Sequence, residues 1–387
     1  MDKVSDLFRR SDNARLPIRL FSFDTTLFLA VLPLLAAGLL TMNSFVCKNY
    51  FFEKQLIWVV LSLVVFFVFS FIDFRFLRRS GVVISLYVGT LLLLFLLFSL
   101  GSIFKGAQSW FNVGLFAIQP SDPAKLVLIL VLAKYFSRRH VEIAHIKHIL
   151  VSGLYAFVLF ALILVQPDFG SSIIIALIWF GMVLVSGISK KHLALVFFLA
   201  VASGVFSWSY VFEDYQKNRI NTFLHPLSDI RGAGYNAYQS TIAVGSGQIF
   251  GKGIGYGTQS KLQFLPEYET DFIFAAFAEE WGFVGVLLLF LLFFVVIWRI
   301  LVNALHGATN FEMLFGMGVA ILFISHFVIH VGINLGLLPI TGTTIPFMSY
   351  GGSHLITEFA ALGILMGMRR YSRSVHRDDS KNEFLGM

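Results

Sequence analysis

DFIFAAFAEEWGFVGVLLLFLLFFVVIWR, residues 271–299, decides the fold class. From Phe283 to Trp298 it carries no charge. About 20 such residues in a helix match the ~30 Å hydrocarbon core of a bilayer. The same stretch poses the functional question. It opens with Asp271 and carries Glu279 and Glu280 about two turns further in. Carboxylates inside a span are costly, so they are either paired or functional. At 100° per residue Glu279 lies about 80° round the helix from Asp271 and Glu280 about opposite, so at least one of them is structural.

Apolar runs of this kind recur along the whole chain, at 25–43, 55–73, 82–101, 122–136, 148–165, 171–188, 192–211, 271–298, 312–337 and 346–368. The expectation is an all-α, polytopic integral membrane protein of about ten transmembrane helices, the short fourth one partly buried by the others. Composition agrees: 57% of residues are hydrophobic, 44 are Phe, and 13% are charged, about half the charge of a soluble domain. No soluble domain is left to place. The organisation reads as a cytoplasmic arm over 1–24, a membrane domain over 25–368 and a cytoplasmic tail over 369–387. The first apolar run is too long for the core of a cleaved signal peptide, so it reads as a retained span. The single cysteine, Cys47, excludes an intrachain disulfide and a cysteine-rich zinc cluster.

The net charge is +7, and its distribution argues against nucleic acid as the partner. With alternating sides, one side collects Arg9, Arg10, Arg15, Arg19, Arg75, Arg78, Arg79, Arg138, Arg139, Lys147, Lys190, Lys191, Arg299 and the arginines from Arg369 to Arg377. In the short loops the other side has Lys48, Lys54 and Lys105. By the positive-inside rule both termini are cytoplasmic. The long loop at 212–270 is then extracytoplasmic, and it holds Lys217, Arg219, Arg231, Lys252 and Lys261. Long loops escape the charge rule, and basic groups on the outer face suit a phosphate-bearing ligand. No internal repeat of the kind common in transporters is visible.

The polar residues yield a short set of candidates. The glycines from Gly245 to Gly257 fail as a nucleotide cradle, because Lys252 is followed by Gly253 and no strand precedes them; they read as turns. Asp271 follows Pro266, Glu267 and Thr270 at the mouth of a helix. There it is either a helix cap or a general base desolvated by Phe272 and Phe274. Asp122 and Lys125 are spaced for a local ion pair, and Asp168 for an N-cap ahead of Ser171 and Ser172. His326 and His330 share a helix face, but a metal needs a third ligand. No ligand set is named, and a divalent cation stays an open alternative.

Residues 219–285 resemble the shape, elongation, division and sporulation family, that of RodA, FtsW and SpoVE. The resemblance rests on RINTFLHP, GAGYNAYQS, GSGQIFGKG and FLPEYETDFIFAAFAEEWGFVG in order, joined by KGAQSWFNVG with QPSDPAK (105–125), QPDFGSS (166–172) and GLLPITGTTIPFMSYGGS (336–353). The stretch GTQSKLQFLPE and the short N-terminal arm look closer to the RodA branch than to the FtsW branch. The resemblance implies a peptidoglycan glycosyltransferase of cell elongation and shape maintenance. Such enzymes polymerise lipid II on the outer membrane face, release undecaprenyl pyrophosphate, and work beside a class B penicillin-binding protein and other elongation-complex proteins. The family's essential aspartate falls on Asp271. Substrate contacts are expected from Lys105, Arg219, Lys261, Glu267 and Ser349, with support from Asp122, Lys125, Asp168 and Glu279. Ser109 stands where the family usually has Arg, Asp122 where it has Glu, and His330 where Asn is common.

Three other functions compete: a lipid II flippase, a ligase acting on another polyprenyl-linked sugar, and a non-enzymatic scaffold. The orientation is tested by cysteine labelling from outside intact cells. A probe near Ser228 is expected to react and one near Arg139 to stay silent; the reverse pattern overturns the topology.

Overall fold

The computed structural model describes residues 24–44, 50–104, 107–113, 116–138, 146–187, 189–210, 212–225 and 232–385. The elements run α1 (Thr25–Asn43), α2 (Tyr50–Phe71), a short 3-10 helix (Phe74–Arg78), α3 (Ser80–Leu100), β1 (Ser102–Phe104), β2 (Ala107–Val113), β3 (Phe116–Ile118), α4 (Ser121–Ser137), α5 (Ile146–Val165), α6 (Phe169–Val185), α7 (Lys190–Tyr210), α8 (Asp214–Leu224), α9 (Ala233–Ser246), α10 (Thr258–Lys261), α11 (Ile273–Leu305), α12 (Asn310–Asn334) and α13 (Gly352–Leu385). Among the described residues, six helices are long and apolar enough to cross a bilayer: α1, α2, α3, α5, α11 and α12. Their exposed faces carry Leu, Ile, Val and Phe, as lipid contact requires.

The middle of the bundle is α4, α12 and α13. Twelve of the seventeen residues of α4 are buried, and α3, α6, α12 and α13 surround it. That is why so short a helix is stable at its position. α13 lies along α2, and glycines set how closely: a Cβ on Gly363 would stand 2.7 Å from Phe69 Cβ, and one on Gly352 would run into the Trp58 ring. Without a hydrophobic drive between helices in lipid, such close backbone approach is what holds them. The amide of Gln55, buried in α2, closes the same contact by donating to Ser349 O at 3.1 Å and accepting from Gly351 N at 3.3 Å.

Several boundaries differ from the sequence expectation. The span expected at 346–368 is helical only from Gly352 and continues to Leu385. The one expected at 271–298 runs from Ile273 to Leu305. Hydropathy marks where apolar surface stops, and a helix continues as long as its backbone hydrogen bonds do. The connection between α3 and α4 is a three-stranded antiparallel sheet in the order β1-β2-β3, with Phe111 opposite Ile118. Among its described residues the long 212–270 stretch carries three helices of its own, α8, α9 and α10.

One end of the bundle is closed by charge. Asp24 caps α1 by accepting from Leu27 N at 3.1 Å. Its other oxygen accepts from Arg299 at 2.6 Å, Asn303 at 2.9 Å and Arg369 at 3.1 Å, so α1, α11 and α13 meet on one carboxylate. Burial alone pushes this carboxyl upward, but the hydrogen bonds from Arg299 and Asn303 outweigh it and hold it below its ordinary 3.8. A lowered carboxylate stabilises the fold above its unfolded pKa, and that contribution is lost as pH falls through the folded value. Asp24→Ala is expected to cost about 3 kcal/mol at neutral pH, because it takes the shared acceptor away from two arginines. Thermal melts in detergent at neutral pH and below pH 4 check this: the gap between variant and parent narrows in acid.

Candidate functional site

Asp271 does not cap α11. The helix begins at Ile273, its N-cap is Phe272, and no side chain caps it. Asp271 belongs instead to a tight turn in which Glu267 O accepts from Thr270 N at 3.1 Å, Asp271 N at 3.0 Å and Phe272 N at 3.1 Å. Glu267 takes a left-handed φ of 48° to make that turn.

Three groups of hydrogen bonds hold the turn from behind. Tyr350 N donates to Glu269 O at 2.9 Å. Ser349 Oγ donates to Thr270 O at 2.8 Å and accepts from Ile345 N at 3.0 Å. Asn334 Nδ2 donates to Asp271 O at 2.9 Å, while Asn334 Oδ1 accepts from Ala275 N at 3.1 Å. The resemblance places Ser349 against substrate. Its hydroxyl is buried and bonded to backbone on both sides, so it positions the turn instead. Asn334, fully buried at the end of α12, is not singled out by the sequence; its role depends on a partner 63 residues away.

The half-buried Asp271 side chain faces the non-helical segment between α12 and α13: a Cβ on Gly342 would stand 3.5 Å from Asp271 Oδ2. Arg219, on α8, reaches the same segment with Nη1 donating to Ile340 O at 3.4 Å. It lines a cavity of about 160 Å³ together with Tyr238, Thr241, Gly336, Leu338 and Ile340. A carboxylate and a guanidinium therefore flank one loop. Lys105 lies outside the described residues.

Glu279 and Glu280 build the neighbouring wall. Glu279 is fully buried. Its carboxylate accepts from Lys252 Nζ at 2.6 Å, Thr258 N and Thr258 Oγ1 at 2.9 Å each, and Gln259 N at 3.1 Å. Glu280 accepts from Gly255 N at 3.1 Å. Both acids therefore hold the glycine-rich 247–262 segment, which bears Lys261, exposed and donating to Gly255 O at 3.2 Å. α11 breaks its helical backbone at Gly282, φ 65°, where a Cβ would strike the backbone of Gly251.

A second polar cluster lies deep between α4, α12 and α13. Lys125 Nζ pairs with Asp122 Oδ1 at 3.0 Å, as the spacing indicates. His354 stands beside both Asp122 Oδ1, at 3.5 Å, and Glu358 Oε1, at 2.9 Å. Glu358 Oε2 accepts from Phe347 N at 3.0 Å. His326 and His330 bond through Nδ1 to the carbonyls of Thr344, at 3.1 Å, and Thr343, at 2.7 Å, so the cluster supports the loop facing Asp271. Asp168 caps α6 through Ser171 N at 3.0 Å and also accepts from Gln119 Nε2 at 2.8 Å. Ser109, where the family usually has Arg, donates to Gln166 O at 3.2 Å. Among the described residues no three His, Cys, Asp or Glu side chains are grouped to hold a metal ion.

The Glu279 network sets a stability test. Glu279→Ala removes the acceptor of Lys252 and of two backbone donors, and is expected to cost about 3 kcal/mol. Adding Lys252→Ala should recover part of it, measured by thermal melting of single and double variants.

Comparison with known proteins agrees with this architecture. The FtsW/RodA/SpoVE family, described as cell cycle protein, matches residues 18–374. The peptidoglycan glycosyltransferase MrdB of Escherichia coli K12 is 35% identical over 355 residues, covering 92% of this chain and 95% of that protein. The stage V sporulation protein E of Bacillus subtilis is 34% identical over 360 residues, with 90% and 98% covered. Among solved structures, a chain of a peptidoglycan synthase complex superimposes with a TM-score of 0.78 at 30% identity, covering 90% of this chain and 98% of that one. The Thermus thermophilus rod shape determining protein RodA gives 0.68 at 29%, with 91% and 98% covered. With a family match across nearly its whole length and a shared membrane fold, this chain is a member of the FtsW/RodA/SpoVE family.

Proposed function

We propose that this multi-pass membrane protein is a peptidoglycan glycosyltransferase that polymerises lipid II on the outer face of the cytoplasmic membrane, in cell elongation and shape maintenance. The observation that carries this most directly is the backbone-strapped turn bearing Asp271, set against Arg219 across the 336–344 segment, in a chain whose relatives bear that activity in their names. In the reaction, the Asp271 carboxylate takes the proton of the acceptor GlcNAc 4-hydroxyl. The freed oxygen bonds to the anomeric carbon of the donor MurNAc from the face opposite its phosphate. The bond from that carbon to the pyrophosphate oxygen breaks with inversion, and undecaprenyl pyrophosphate leaves. Charge developing on the leaving group is met by Arg219. Lys105 is its proposed companion, and Lys261 and Glu267 are proposed substrate contacts beside the turn.

This reading carries the topology with it: ten spans, both termini in the cytoplasm and residues 212–270 outside, where the substrate headgroup is displayed. A class B penicillin-binding protein is the proposed partner. The solved complex that this fold resembles is a peptidoglycan synthase in which polymerisation is coordinated with crosslinking.

The test is Asp271→Asn. It keeps the two hydrogen bonds that residue 271 makes through its main-chain N and O, and removes the base. Polymerisation of purified lipid II is expected to fall by a factor on the order of 10²–10⁴ with the melting temperature unchanged. A folded variant that still builds long glycan strands refutes the assignment of Asp271 as the base, and a folded parent protein that builds none favours a flippase or scaffold.

A further inference from the structure

The segment between α9 and α11 combines two properties that conflict in water. It is tightly held, and its apolar side chains point outward. Gly251 N bonds back to Gly247 O at 2.8 Å, Lys252 N to Glu279 O at 3.0 Å, Gly253 N to Glu280 O at 3.0 Å, and Phe283 N to Gln248 O at 2.9 Å. On this frame Phe250 is 82% exposed and Tyr256 72%. Ile249, Ile254 and Leu262 stand out beside them.

The height of this segment follows from the ion cluster at the other end of α11. Arg299, paired with Asp24, marks one bilayer boundary. From Arg299 back to Phe283 α11 is unbroken, ~24 Å of helix, and Glu279 stands just beyond the break at Gly282, about the thickness of a hydrocarbon core away. Glu279 is the residue that grips the segment. The exposed apolar side chains thus lie at the opposite boundary, and they continue the exposed face of α11, whose Phe283, Val284 and Leu287 point outward within the span. Lys261, exposed in the same segment, is of the right sign for headgroup phosphates. Aromatic and basic residues together at this depth are the signature of an interfacial anchor.

We propose that the 247–264 segment is a membrane-interface anchor, with Phe250 and Tyr256 inserted among the lipid acyl chains near the headgroups. Because Glu279 and Glu280 lock this segment to the outer turns of α11, and Asp271 lies just ahead of the same helix, the anchor sets the height of Asp271 relative to the headgroup plane. A lipid-linked sugar presents its reacting bond at a fixed distance from that plane, so height is a recognition element in its own right. The bilayer contact stands independently of the reaction proposed above, and its bearing on Asp271 rests on that reading.

The experiment uses the full chain in nanodiscs of phosphatidylethanolamine and phosphatidylglycerol. Cys47→Ser removes the native thiol, and Phe250→Cys, or Tyr256→Cys if the first variant melts early, takes a nitroxide label. Relaxation by oxygen, which concentrates in lipid, is compared with relaxation by a water-soluble nickel chelate. A label at Leu288, exposed on α11, serves as the lipid reference, and one at Asn218, on α8, as the water reference. The expected result is an oxygen-to-nickel ratio at residue 250 at least several-fold above that at 218 and approaching that at 288. A ratio equal to that at 218 means the surface stands in water in the isolated protein, as a docking face for another protein would, and overturns the proposal.

Discussion

A charge within an apolar bundle has to find its partner inside the protein, because lipid offers none. That constraint organises this molecule. Asp24 gathers α1, α11 and α13 at one end through Arg299, Asn303 and Arg369. Asp122 and Lys125, with His354 and Glu358, join α4 to α13 in the middle. Glu279 ties the 247–262 segment to α11 at the other end. Each cluster joins separate elements of the fold, so the charges tell helices with nearly identical apolar surfaces which neighbour to accept. The turn bearing Asp271 is built on the same frame, held from behind by the end of α12 and the residues leading into α13.

The six helices long and apolar enough to cross a bilayer are legible in the sequence because hydropathy is a local property. The acids at 279 and 280 are recognisable as expensive, and Asp122 with Lys125 as a pair, because spacing within a helix carries that information. What is not legible is long-range or local but ambiguous. His354 and Glu358 are four residues apart, yet their meaning comes from Asp122, more than two hundred residues earlier. Asn334 is one more polar residue at a helix end until the turn it holds is seen. Asp271 reads as a helix opener because Pro266, Glu267 and Thr270 signal a cap and a turn equally well. The left-handed Glu267, whose carbonyl captures three amides, decides for the turn and delays the helix to Ile273. The sheet at 102–118 escapes a periodicity reading because two of its three strands are too short for alternation to show.

The site's plan follows from dividing labour between backbone and side chain. Asp271 is bonded into its surroundings through its main-chain atoms, which leaves its carboxylate oriented toward the loop before α13. Ser349 serves the site without facing it. His326 and His330 act at one further remove, through the carbonyls of Thr344 and Thr343. Rigid support of this kind suits the proton-acceptor role proposed for Asp271, which needs one fixed geometry.

The contact between α2 and α13 bears on how the protein is made. A membrane chain is synthesised and inserted from its N-terminus, so α2 enters the bilayer long before Ser349 and Gly351 exist. Until they arrive, the amide of Gln55 has neither of the backbone partners that satisfy it in the finished fold. Asp24 likewise waits for Arg369, 345 residues downstream. The seam between α2 and α13 therefore cannot close as the chain emerges. α2 waits in the bilayer with an unmet amide until the last helix is threaded in, which makes this seam a late step of assembly.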